Sequence, residues 1–369
     1  MKFICTQENL AKALGIVSHI ASKHTTLPIL NNVQLKTENG ILKLSSTNLE
    51  IGMHSLVRGR IEMEGAFTVN AKLLSDYVHL LPSDQVFLEV IDNVLHIQCK
   101  NQKTKINGQS AEDFPLIPQL EKKSVVSVAA LGFKKALMQV LFASANDDTR
   151  PEISGVYFDF ASNRLTLAAT DGFRLAEKII HLEKNVESER NLIVPFKTIT
   201  ELVRAVGDNL ESDTLDIVMG DSQILFSFSG TEIVSRLIEG QFPDYRQIIP
   251  QSFRTRSTVS VSELANITKS ASLFCRLGMN DVELTFEKET NKITVASTHS
   301  QIGENVSSID TPVEGEPNKI IFNYRYLLDG LSVMDSGSVQ ILIIDSQNAG
   351  IFRPENSLDY SYLIMPIKE

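Results

Sequence analysis

Asp171-Gly172 carries the carboxylate most easily mistaken for a catalytic one, because it closes a strand-like run. Nothing nearby in sequence supplies a partner acid or a nucleophile, so a turn or a pocket wall is the simpler reading. The seven histidines are scattered, with no HExxH pair and no metal-ligand cluster. No G-x-x-x-x-G-K-[ST] or G-x-G-x-x-G loop is present to cradle a nucleotide. The cysteines, Cys5, Cys99 and Cys275, are odd in number and far apart. They read as buried, apolar structural thiols of a reducing compartment and not as a zinc site. No metal or cofactor is expected, and the chemistry left to the chain is binding.

The residues suited to binding are lysines and arginines on helical faces. Six segments space apolar residues at i, i+3, i+4 and i+7, allowing one small or polar substitute: Leu10 to Val17, Leu74 to Leu81, Phe133 to Val140, Ile199 to Val206, Leu264 to Ala271 and Leu327 to Met334. Lys12 falls about 200° around its helix from Leu10, away from the core. Lys72, Lys135, Lys197, Arg204, Lys269 and Arg325 fall in the same arc of their helices. Over the six helical windows there are nine Lys or Arg against five Asp or Glu, while the whole chain is at −10. A basic face attracts phosphate without reading sequence, and an acidic remainder repels DNA from the rest of the surface.

Those helices belong to a repeat. The segments 40–48, 163–171 and 291–299 each run from a turn residue through an alternating strand to a threonine, Thr47, Thr170 and Thr298, 123 and then 128 residues apart. Lys72, Lys197 and Arg325 recur at 125 and 128, each where a strand opens into a helix. Late hairpins are expected at Asp92-Asn93, Asp221-Ser222 and Asp345-Ser346. The polar stretches 115–124 and 249–257 read as linkers. We therefore expect an α+β chain of three tandem modules, 1–120, 121–249 and 250–369, each with two helices and antiparallel sheet. No apolar run reaches a membrane span, and the N-terminus reads as a strand and not a leader, so a cytoplasmic protein is expected.

If helices about 10 Å wide lined a ring, six would leave a hole of only about 9 Å and twelve nearly 30 Å. Duplex DNA is about 20 Å across. Two chains, head to tail, would surround it. Two other classes stay open: an enzyme of unfamiliar α+β fold acting on sugars or peptides, and a sequence-reading DNA regulator. A regulator would bind a short linear duplex tightly. A ring would be retained only on closed circles.

The residues 26–30 (TLPIL), 169–176 (ATDGFRLA), 242–246 (FPDYR) and Met365-Pro366 resemble the beta subunit of bacterial DNA polymerase III, the sliding clamps, and the resemblance runs the length of the chain. It implies a non-catalytic, DNA-clamp homodimer whose two chains close head to tail around duplex DNA, conferring processivity in replication and repair. Partners would be the polymerase, the clamp loader, other polymerases and repair proteins. They would dock by short linear peptides in a pocket walled by Ile153, Thr170, Gly172, Phe173, Arg174, Leu175, Pro243, Ile248, Leu363, Ile364, Met365 and Pro366. The resemblance also implies DNA-contacting loops at Lys23-His24-Thr25 and at 146–150, so His24 and Arg150 join Lys12, Lys72, Lys134, Lys135, Lys197, Arg204, Lys269 and Arg325 as expected DNA contacts. The second loop carries two aspartates, Asp147 and Asp148, unusual for such a contact. For ring closure, Leu273 and Phe274 would meet Lys103, Lys105 and Ile106. Phe173 stands where a histidine is common, and the chain ends in the acidic Glu369.

Overall fold

A computed structural model of the chain describes residues 1–21, 27–121, 124–145, 149–207, 213–250, 252–276 and 278–368. His24, with Lys23 and Thr25, and Asp147, with Asn146 and Asp148, lie outside the described residues. Among those described, one order of elements runs three times. The first pass is β1 (Lys2–Thr6), α1 (Gln7–Val17), β2 (Asn32–Glu38), β3 (Ile41–Thr47), β4 (Ile51–Met63), β5 (Gly65–Asn70), α2 (Ala71–His79), β6 (Gln85–Ile91), β7 (Val94–Cys99) and β8 (Gln102–Gln109). The second is β9 (Val125–Ala129), α3 (Ala130–Leu141), β10 (Gly155–Ala161), β11 (Arg164–Thr170), β12 (Arg174–His181), β13 (Arg190–Pro195), α4 (Phe196–Ala205), β14 (Thr214–Met219), β15 (Gln223–Phe228) and β16 (Thr231–Arg236). The third is β17 (Thr255–Ser260), α5 (Val261–Ser272), β18 (Asp281–Glu287), β19 (Lys292–His299), β20 (Gly303–Asp310), the short insert β21 (Val313–Gly315), β22 (Asn318–Asn323), α6 (Tyr324–Ser332), β23 (Ser338–Ile343), β24 (Gly350–Pro354) and β25 (Tyr360–Ile364).

At α1, α2, α5 and α6 strand passes into helix without a loop because the last strand residue is itself a cap. Thr6, Asn70, Ser260 and Asn323 each accept from a backbone N–H two or three residues on. The apolar stripes then turn inward. Leu10, Leu14 and Val17 of α1 and Phe133, Leu137 and Val140 of α3 are fully buried. In α6 the stripe includes Gly330, where a Cβ would stand 2.2 Å from the ring of Tyr362. The small residue lets helix and strand approach closely.

The compact units cut across the repeats. Residues 1–134 with 200–237 form one unit, and 135–199 with 238–369 form the other. In the first, a sheet runs β1-β6-β7-β8-β5-β2-β3-β4-β16-β15-β14-β9, with β1 also pairing β4. In the second, one sheet runs β13-β10-β11-β12-β25-β24-β23-β17-β21 and a smaller one β20-β19-β18-β22. The expected linker 249–257 ends earlier than its composition suggests, since β17 begins at Thr255. Its inward residues Thr255 and Ser257 are buried hydroxyls donating to Glu316 O (2.7 Å) and Pro312 O (2.8 Å), so the strand does not read as apolar. Cys5 and Cys99 are buried, and burial pushes the Cys5 thiol up to about 12. Cys275 is only half-buried, unlike the expectation. No helix of the described residues is long and apolar enough to cross a membrane.

Candidate partner pocket and nucleic-acid faces

Residues 170–174 form a turn wired by its own side chains. The Thr170 hydroxyl donates to Arg174 O (2.6 Å) and accepts from Gly172 N (3.0 Å). Asp171 Oδ1 accepts from the N–H groups of Phe173 (2.9 Å) and Arg174 (3.0 Å). Asp171 is thus a turn former. Gly172 takes φ +91°, a region that favours glycine. The turn thrusts Phe173 into solvent at 64% exposure. Its carbonyl receives the N–H of Met365 (2.8 Å), which ties the C-terminal segment to the turn.

Behind the turn, β12 pairs with β25, setting Leu175 opposite Leu363. Both are buried in a cluster with Ile153, Leu342, Ile351, Phe242 and Tyr245. Phe242 stacks on Tyr157 at 4.8 Å, and the Tyr245 hydroxyl donates to Glu177 (2.5 Å). Burial and the Glu177 carboxylate hold that phenol protonated far above its usual range. Pro243 and Ile248 flank the tyrosine and are exposed, Ile248 at 53%. Of the expected wall residues, Phe173, Met365, Pro243 and Ile248 are therefore the exposed apolar ones, and Leu175, Leu363 and Ile153 are buried.

Three expected wall residues are placed elsewhere. Side chains alternate along a strand, so Arg174 and its partner Ile364 point to the opposite face from Leu175 and Leu363. Arg174 there lies 4.4 Å over the Tyr326 ring and donates to Asp329 (2.6 Å) and Asp171 (2.9 Å). Burial, the strongest single influence, works against its charge, but the Asp329 hydrogen bond together with Tyr362 and Asp171 outweighs it and holds the guanidinium ionised. It is a strut beneath the turn. Ile364 is core, and Pro366 is buried where Ile367 N donates to Ile321 O (2.8 Å). Leu342 and Ile351 come beneath the turn only through the registers of β23, β24 and β25, while Phe242 and Tyr245, within the 242–246 motif, reach the cluster from the segment before β17.

The basic residues divide by what they touch. Lys12 and Lys72 on the neighbouring α1 and α2, and Lys269 and Arg325 on the neighbouring α5 and α6, are exposed, as is Lys197 on α4. Lys135 is exposed but paired with Asp335 at 3.1 Å, and Lys134 is half-buried. Arg204 corrects the expectation. It donates to the carbonyls of Gly15 (2.8 Å) and Ile16 (2.7 Å) in the last turn of α1, and it pairs with Glu201. It caps a helix C-terminus instead of facing solvent. Arg150 pairs with Glu152 (3.3 Å), and its Nη1 lies 3.6 Å from where a Gly172 Cβ would stand, beside the pocket turn. On β8, Lys103 and Lys105 are exposed, but Ile106 is buried and turns into the core. Leu273 is 74% exposed, and Phe274 packs at Gly303, where β20 begins.

Comparison with known proteins agrees with this architecture. Profiles of the DNA polymerase III beta subunit match throughout: its N-terminal domain over residues 1–118, its central domain over 127–244 and its C-terminal domain over 246–368. The beta sliding clamps of Synechocystis and Bacillus subtilis are each 28% identical, covering all of this chain and 99% and 100% of those proteins. The crystal structure of the DNA polymerase III beta subunit of Thermotoga maritima superposes with a TM-score of 0.93 at 26% identity, over 100% of this chain and 99% of that one. The sliding clamp of Pseudomonas aeruginosa bound to griselimycin superposes at 0.95 and 25%, over 100% of each chain. The chain belongs to the DNA polymerase III beta subunit family, and it is a DNA sliding clamp, a non-catalytic processivity factor in replication.

Proposed function

We propose that two copies of this cytoplasmic chain, each of modules 1–120, 121–249 and 250–369, close head to tail into a ring around duplex DNA. The ring tethers the polymerase, and the exposed lysines of its helices meet phosphate without reading sequence. Polymerases, the clamp loader and repair proteins dock linear peptides on Phe173, Met365, Pro243 and Ile248. The observation that carries the ring is an unfinished repeat of junctions. The strand after each Thr-turn pairs with the last strand of the next module: β4 with β16, and β12 with β25. The third pair of equivalents, β20 and β8, is left over. Among the described residues β20 has one neighbour, and β8 has a second neighbour only at Gly108 and Gln109. The leftover strands are complementary, with Lys103 and Lys105 on β8 and Glu304 and Asp310 on β20. A free edge with apolar Ile302 and Val306 exposed beside it calls for a partner strand.

The test is retention on DNA. The protein is loaded by its clamp loader onto nicked circular duplex and filtered from free protein. It should stay on the circle and leave when the circle is linearised. Equal loss from circle and linear duplex would end the ring reading.

A further inference from the structure

The two junctions inside the chain share one register, and the first is already filled. At the second, Leu342, Ile351, Leu363 and Leu175 stand in one cross-strand row. At the first, the same row is Val218, Leu225, Val234 and Gly52. The turns that feed the rows also match. Thr47 Oγ1 donates to Ile51 O (2.9 Å) and accepts from Leu49 N (3.0 Å), as Thr170 does with Arg174 and Gly172. Asn48 accepts from the N–H groups of Glu50 and Ile51, as Asp171 does from Phe173 and Arg174. Leu49 takes φ +75° where Gly172 takes +91°.

The rows differ at their last place, leucine in one and glycine in the other. A Cβ on Gly52 would stand 2.5 Å from Cγ2 of Ile117, far inside contact distance. Ile117 therefore occupies the space that the Leu175 side chain takes at the other junction. Three residues on, Leu120 packs on the same cluster of Val218, Leu225 and Val234, its Cδ2 3.1 Å from where a Gly220 Cβ would be. The intervening side chains turn out, and Leu116 is 98% exposed.

We propose that the first junction is a second peptide groove of the same construction, held occupied by the chain's own linker, with Ile117 and Leu120 as anchors. Vacated, it takes a linear peptide carrying two aliphatic side chains three residues apart. Occupation in cis leaves each chain one open pocket, the one with Phe173 and Met365 at its rim. The comparison with docking rests on the reading proposed for that pocket.

A labelled peptide of residues 114–121 is titrated into the full chain and into a variant with Ile117→Ala and Leu120→Ala, with folding of each checked by thermal melting. The variant should bind one more peptide per chain than the unaltered protein. Equal stoichiometry in both would overturn the proposal. Should the double variant fail to fold, Ile117→Ser is judged by the same increment. Binding at the Phe173 pocket is common to both arms and cancels. Failure of that pocket would show as no binding to the unaltered chain, and failure of the groove as no increment.

Discussion

Phe173 and Arg174 are adjacent in sequence and opposite in role, because one sits on a turn and the other begins a strand. Phe173 is solvent-exposed on a turn that is wired through its backbone and not its side chain. Phe173→Ala should therefore leave the melting temperature unchanged and weaken partner-peptide binding about tenfold, by fluorescence anisotropy, the loss of roughly half a buried phenyl group. His54 makes a different kind of prediction. It is buried against Ser45 (2.9 Å), and its pKa is lowered to about 4, by burial first and Lys43 second, with Glu232 opposing. The native state then binds fewer protons than the unfolded chain between pH 6.5 and about 4. Stability is fully present above pH 6.5 and falls as pH drops through that window, by up to about 3 kcal/mol. Urea denaturation at either end of the window should record the loss, and His54→Gln should flatten it.

At the scale of the element, the helices were legible because 3.6-residue spacing reports burial directly. The apolar stripes of all six are inward, and the caps follow from threonine, asparagine and serine at strand ends. What spacing could not report is which charge on the outer arc is already engaged. Lys197 and Arg204 lie on the same arc of α4, yet Arg204 closes the carbonyls of α1 while Lys197 is exposed. Lys197→Ala should lower the salt slope of DNA binding by about 1 and leave stability unchanged. Arg204→Ala should do the reverse, costing about 1–2 kcal/mol in chemical denaturation with the slope intact. A fall in slope for Arg204→Ala with no loss of stability would contradict the capping role.

For the whole molecule, the repeat of junctions counts for more than any one site. Two are made within the chain, and among the described residues two strands equivalent to theirs are left over. Lys103→Glu with Lys105→Glu should weaken the dimer at least about tenfold in sedimentation, since the register of the made junctions would set a reversed charge at Lys105 against Glu304 across the proposed junction. A dimer of unaltered strength would place the interface on other strands.

The sequence by itself determined the threefold order of elements, the inward stripes and the turn at Thr170 to Arg174. These depend on local spacing and on side chains that bond to their own backbone. Tertiary structure decided what sits beneath that turn, because Leu175 meets Leu363 only through a strand pairing that spans most of two modules. It also decided that Arg174 and Ile364 face away, since one residue of strand register moves a side chain to the other face. And it alone placed Ile117 on Gly52, a contact between residues 65 positions apart that no periodicity encodes.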